Sequence, residues 1–124
     1  MAVPPSWAQE QFCYLTTTGR RTGRAHTIEI WFGEDAGRLF LLAGGGERAD
    51  WVRNLQANPR VGLRVGSYDG PARAAIVTDP ADDFLARRLL AAKYQGWQPG
   101  QALSEWAETA LAVEVVPATA ADHA

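Results

Sequence analysis

His26-Thr-Ile-Glu-Ile-Trp-Phe-Gly-Glu-Asp-Ala-Gly-Arg-Leu-Phe-Leu-Leu-Ala43 is the stretch on which the fold turns. From His26 to Phe32 apolar residues recur every second position, with Ile28, Ile30 and Phe32 on one face and Thr27, Glu29 and Trp31 on the other. A period of two is the mark of a strand with one buried face. Glu34-Asp35-Ala36-Gly37 supplies turn residues, and Arg38 to Ala43 is a second, continuously apolar strand. Two strands joined by so short a turn can only run antiparallel. Working outward, Phe12 to Thr17 is aromatic and β-branched and ends at Thr18-Gly19 as a further strand. Downstream, Gly44-Gly45-Gly46 breaks the apolar strand before a helix from Glu47 to Ala57, which stops at Asn58-Pro59.

Strands at Arg60 to Val65 and Ala72 to Val77 follow, with a turn over Gly66 to Gly70 between them. Asp79-Pro80 carries an N-cap acid and a proline at the first helical position, so a longer helix runs from there to Gly96. A short helical stretch around Leu103 to Thr109 leads to a last strand, Ala112 to Val116. The pattern predicts a mainly β (α+β) protein: an antiparallel sheet closed into a small barrel, with one short inserted helix and one longer helix in the C-terminal half. A dinucleotide-binding fold is excluded, because no Gly-x-Gly-x-x-Gly follows the first strand and β-α alternation is missing.

The 124 residues, 47% apolar and 21% charged, suit one core. That core is expected over residues 12 to 117, with a lead at 1 to 11 and a frayed tail at 118 to 124. A net charge of -2 argues against nucleic acid as partner, so any anion site must be local. Met1 to Gln11 contains Pro4 and Pro5 and no apolar run, which predicts neither signal peptide nor membrane anchor. With Cys13 as the single cysteine, a cytoplasmic protein is expected, free or as a homodimer.

Protein-borne catalysis finds no agent. The two histidines, His26 and His123, cannot assemble a His-rich metal site, Ser6, Ser67 and Ser104 sit in no nucleophile elbow, and Cys13 lies inside a strand. Chemistry therefore falls to a cofactor, with no catalytic side chain and no metal expected. The loop Arg20-Arg21-Thr22-Gly23-Arg24 sets three guanidiniums within five residues, a pattern suited to phosphate or carboxylate; a solvated basic turn is the alternative. Backbone at Gly44 to Gly46 can approach a flat or anionic ligand, or the glycines can serve turn geometry alone. Trp31 beside Glu29 on the mixed strand face marks either a covered pocket or ordinary packing. Trp51 and Asn54 lie one helical turn apart, presenting a ring and an amide together or anchoring the core. Tyr94 and Trp97, at the end of the longer helix, read as a lid or as an aromatic end-cap.

Leu15-Thr-Thr-Thr-Gly-Arg-Arg-Thr-Gly-Arg24, the Ile28-Glu-Ile-Trp-Phe32 strand and Trp51-Val-Arg-Asn-Leu-Gln-Ala-Asn-Pro59, in this order, resemble the deazaflavin-dependent nitroreductase family. The resemblance implies a split β-barrel related to the FMN-binding and pyridoxamine-phosphate-oxidase fold. It implies binding of the deazaflavin coenzyme F420, with FMN as the alternative cofactor, and hydride transfer to a quinone, a nitroaromatic or another activated double bond. Some relatives bind fatty acids instead, which leaves a non-enzymatic alternative. Carried over residue by residue, Arg20, Arg21, Thr22, Gly23, Arg24 and His26 match the segment holding the coenzyme's phosphate and tail. Ala43, Gly44, Gly45 and Gly46 match the loop beside the deazaflavin ring, with Arg48 replacing a usual lysine, and Trp51 and Asn54 match the cofactor side of the helix. Glu29, where proline is common, and Trp31, Tyr94 and Trp97 match positions toward the substrate.

Overall fold

A computed structural model describes Trp7 and residues 9–118. Residues 1–6 and 8, most of the expected lead, and residues 119–124, with His123 and nearly all of the expected tail, lie outside the described residues. The strands are β1 (Cys13–Thr18), β2 (Ala25–Ile30), β3 (Gly33–Asp35), β4 (Arg38–Ala43), β5 (Arg60–Val65), β6 (Tyr68–Ile76) and β7 (Leu111–Pro117). The helices are α1 (Asp50–Ala57), α2 (Pro80–Gln95) and α3 (Glu105–Thr109). All seven strands form one sheet in the order β2-β1-β5-β6-β7-β4-β3, and every pair is antiparallel.

β2 and β3 stand at opposite edges of this sheet although only Trp31 and Phe32 separate them in the chain. Three Cα steps reach at most about 11 Å, whereas seven strands laid flat would span roughly 29 Å. The sheet must therefore curl until its edges almost meet, and the two-residue link closes it covalently where no ladder does. This is the geometry of a split barrel.

The expected strand from His26 to Phe32 thus stops at Ile30, and its expected hairpin with Arg38 to Ala43 does not form: β4 pairs instead with β3, which takes up Glu34 and Asp35 of the expected turn. Phe32 turns inward and is fully buried, while Trp31 packs against the cluster under α2. The hydroxyl of Tyr94 accepts from the Phe32 N–H at 3.0 Å and lies 3.0 Å from the Phe32 carbonyl and 2.9 Å from that of Gln11. Those bonds occupy the backbone groups that a continued strand would need. Two other boundaries shift. β6 begins at Tyr68, directly after a Gly66-Ser67 turn, so the expected turn over Gly66 to Gly70 shortens to two residues. The expected helix from Glu47 divides into a 3-10 turn, Gly46–Arg48, and α1, because Ala49 is extended between them.

Inside the barrel, Leu15, Phe32, Leu39, Leu41, Leu63, Val65, Val113 and Val115 form the main cluster, with Trp7 buried among them. Phe40, Leu42, Ala86, Leu90, Ala110 and Ala112 form a second cluster between the sheet and α2. β4 is consequently covered on both faces, the reason its sequence is apolar without alternation. Asp79 caps α2 by accepting from the Asp82 N–H at 3.0 Å, and Gly96 ends it at φ 66°, a left-handed conformation natural to glycine.

Lys93 is the only lysine, and its Nζ is buried without a hydrogen-bond partner among the described residues, 3.6 Å from the Phe32 ring centroid. Burial holds its pKa below the ordinary 10.5; attraction to a Cys13 thiolate is absent near neutrality because burial pushes the Cys13 thiol up to about 12, so only the weaker attraction to Glu10 opposes the shift there. The unfolded chain therefore binds this proton more tightly, and native stability rises as pH climbs from the lowered native pKa toward 10.5. Lys93→Met is expected to stabilise the protein at pH about 7, with the gain shrinking in alkaline solution. Urea melts of both proteins across that range check it; a wild-type advantage at neutral pH would give the larger share to the cation–Phe32 contact.

Candidate functional site

The open end of the barrel carries a groove of about 650 Å³, bounded by β2, the 19–24 loop and the first turns of α1. Its floor follows from strand register. Cys13, Leu15 and Thr17 point inward from β1 and face Ile30, Ile28 and His26 of β2. The inner face is thus apolar in the barrel and becomes polar at its mouth, where Thr17 and His26 stand opposite one another.

The loop owes its shape to its own backbone. Gly19 N–H donates to the Arg24 carbonyl at 2.7 Å, Gly23 N–H to the Gly19 carbonyl at 2.8 Å, and Arg24 N–H to Thr22 Oγ1 at 3.2 Å. A side chain at residue 19 would begin 2.9 Å from His26 Nε2, so glycine is what lets the imidazole lie against the loop. One buried amide then ties the loop to α1. Asn54 Oδ1 accepts from the Arg20 backbone N–H at 3.2 Å and from Arg20 Nη1 at 2.9 Å, while Asn54 Nδ2 donates to Thr17 Oγ1 at 3.2 Å. Asn54 is 4% exposed and Thr17 1%, so these bonds are shielded from water.

The three arginines consequently differ. Arg20 is engaged by Asn54 and, at 3.3 Å through Nη2, by Asp50. Arg21 and Arg24 make no ion pair among the described residues, and only Arg21 of these two lines the groove. Trp51 and Ile28 add apolar wall; Trp51 also packs against the barrel core. The groove therefore pairs a flat apolar surface with a concentrated positive end, the donor set for a ligand with an aromatic body and an anionic tail.

Of the residues singled out from sequence, Arg20, Arg21, Thr22, His26, Trp51 and Asn54 line this groove. Gly23 and Arg24 belong to the same loop but not to its lining. Ala43 is buried at the end of β4, Gly44 stands against the Trp106 ring, and Gly46 and Arg48 form the 3-10 turn before α1; with Gly45, all lie outside the lining. Glu29 accepts from the Tyr14 hydroxyl at 2.9 Å, on the face of β2 opposite to Ile28. Trp31 stacks on Tyr94 with ring centroids 4.3 Å apart and 1° between planes, and meets Trp106 edge-on at 5.6 Å. The Tyr94 hydroxyl is protonated at neutral pH and donates to a carbonyl, and burial pushes its pKa up further, to about 12. Trp97 follows the helix stop, donating through Nε1 to the Gln101 carbonyl at 2.9 Å, so the helical alignment of Tyr94 with Trp97 does not arise.

Thr17 and Asp50 were not among the singled-out residues. Both are recoverable once pairing is known: Thr17 by its register with His26, and Asp50 by lying four residues before Asn54 on one face of α1.

A curled seven-stranded antiparallel sheet with a basic groove at its mouth gives the chain the split-barrel fold of the solved structures it is similar to. It belongs to the F420H2-dependent quinone reductase family, whose model matches residues 3–117. Membership makes it an F420-dependent reductase and bears out the resemblance drawn from its motifs. Among solved structures, a conserved hypothetical protein of Mycobacterium tuberculosis is similar at TM-score 0.72 and 18% identity, over 90% of this chain and 76% of that one. An F420-H2 dependent reductase, FDR-A, is similar at TM-score 0.64 and 18% identity, over 85% and 93%. A candidate pyridoxamine 5′-phosphate oxidase of Listeria innocua is similar at 0.66 and 17%, over 90% and 86%. These likenesses carry the fold. No helix among the described residues is long and apolar enough to cross a membrane.

Proposed function

We propose that the groove at the barrel mouth holds the anionic tail of F420 and that the hydride acceptor is a quinone. The observation that carries the reading is the Arg21 guanidinium, without an ion pair among the described residues, set beside Arg20, Thr22 and His26 in one groove, within a chain of net charge -2. The donor set fits the coenzyme: guanidiniums and the Thr22 hydroxyl suit phosphate and carboxylate oxygens, and Trp51 with Ile28 suits an aromatic ring system. When bound, reduced F420 supplies the hydride. Arg21 binds the tail, Asn54 keeps the loop seated on α1, and Thr17, whose hydroxyl the Asn54 amide holds, closes the polar end of the floor. Gly44 to Gly46 and Arg48, adjoining α1, are assigned to the cofactor side. Trp31 and Tyr94, joined in one stack outside the groove lining, are assigned a supporting role.

The test is a fluorescence titration with F420 followed by anaerobic turnover of its reduced form with a soluble quinone and with a nitroaromatic. Binding and quinone-dependent oxidation are expected. Tight FMN binding without F420 binding, or oxidation by the nitroaromatic alone, would overturn the reading. In the same titration Arg21→Ala is expected to raise Kd by about ten- to a hundredfold, the worth of one charge-assisted bond to phosphate. The loss should shrink in high salt. Charge on the tail is the same before and after hydride transfer, so kcat should change far less than Kd.

A further inference from the structure

Arg20 is held by two partners of opposite character. Asn54 is buried, grips both the backbone N–H and Nη1, and cannot leave without exposing an unpaired amide. Asp50 touches only Nη2, at 3.3 Å, with a side chain that is 85% exposed against 22% for Arg20. A single exposed contact of this kind contributes little and is readily exchanged. Asp50 is also an acid among the residues that line an otherwise basic groove.

The geometry points to Asp50 as an internal stand-in for the ligand: its carboxylate occupies Nη2 of Arg20 when the groove is free, and the phosphate or carboxylate of the incoming tail displaces it. Asn54 meanwhile holds the same guanidinium in place, so the exchange needs no movement of Arg20, only a swing of one exposed carboxylate. The inference rests on the assignment of the groove to an anionic tail. Asp50 thereby lowers affinity for every anion and sets a threshold. A multiply charged phosphate group, able to engage Arg20 and Arg21 together, outcompetes a carboxylate already in place more easily than a monoanion does. The position also suits the first turn of α1, where an acid is favoured by the helix dipole, so the residue has a use in the free protein.

F420 binding to the wild type, Asp50→Asn, Arg20→Gln and the double variant tests this. Gln at position 20 retains a donor for Asn54 but no charge. Asp50→Asn is expected to tighten F420 binding about three- to tenfold, from loss of the contact that competes for Arg20. In the Arg20→Gln background the same substitution should change Kd less than about twofold. No tightening by Asp50→Asn, or equal tightening in both backgrounds, overturns the proposal, the latter by showing that Asp50 acts only through the general field. If the wild type fails to bind F420, the cofactor assignment of the groove fails separately. The rise in melting temperature produced by inorganic phosphate, against chloride of equal ionic strength, then decides. A larger rise in Asp50→Asn than in wild type, absent from the Arg20→Gln pair, supports displacement; equal rises overturn it.

Discussion

Asn54→Ala is expected to lower stability by about 2–4 kcal/mol and to weaken F420 binding by at least about a hundredfold. Three hydrogen bonds converge on this amide, from the Arg20 backbone, the Arg20 guanidinium and toward the Thr17 hydroxyl, and both Asn54 and Thr17 are buried. Alanine leaves the hydroxyl and the loop N–H without partners, and water reaches them only by opening the junction between β1 and α1. Function suffers on top of stability, since a loop no longer tied to α1 must be ordered at the cost of binding energy. Asn54→Asp separates the two effects. It still accepts from Arg20, and the Thr17 hydroxyl can turn to donate, so stability should stay near wild type; its added negative charge should nonetheless weaken binding. Urea melts and fluorescence titrations on the three proteins check this, and an alanine variant with wild-type stability and Kd would show that the amide ties nothing.

Tyr94→Ala should cost about 3–5 kcal/mol, from loss of a large ring stacked on Trp31 together with the hydroxyl at the barrel seam. Tyr94→Phe keeps the ring and isolates the hydroxyl, with an expected cost of about 1–3 kcal/mol. That hydroxyl is the partner of the Phe32 N–H and lies within bonding distance of the Phe32 and Gln11 carbonyls. It therefore fastens α2 to the link that joins the two edges of the sheet. If Tyr94 is a support and not an acceptor wall, the phenylalanine variant should lose stability while the ratio of kcat/KM for a quinone and a nitroaromatic stays fixed. A changed ratio at unchanged stability would return the residue to the acceptor.

Much of this was legible in residue order. The two-residue period of β2 and β5 and the aromatic, β-branched run of β1 marked strands, but the hairpin expected between His26–Phe32 and Arg38–Ala43 had the wrong partner: β4 pairs with the short β3, whose Glu34 and Asp35 read as turn, and β2 lies at the opposite sheet edge. Asp79, Pro80 and Gly96 bounded α2 because caps are local chemistry. The groove's basic end was legible for the same reason: three arginines and two glycines in six residues cannot be buried, so the loop had to be exposed. Less legible were the boundaries at Trp31-Phe32 and at Gly70-Pro71. An apolar run does not show where a strand leaves one sheet edge for the other, and Pro71 reads as turn punctuation although it sits inside β6, opposite Gly62.

By itself, then, the amino-acid order determined an antiparallel β protein with one short and one long helix and an exposed arginine loop. Alternation, caps and charge are properties of neighbours along the chain. Tertiary structure alone decided that Trp31 and Phe32 close the barrel, that Trp31 joins Tyr94 and Trp106 rather than the groove, and that Arg20 answers to Asn54 and Asp50 while Arg21 makes no ion pair among the described residues. Each depends on partners 30 or more residues away, brought together by strand order and by the packing of α1 and α2 on the sheet. A periodicity says which face of a strand is buried. Only the neighbour that covers the face determines what its side chains do there.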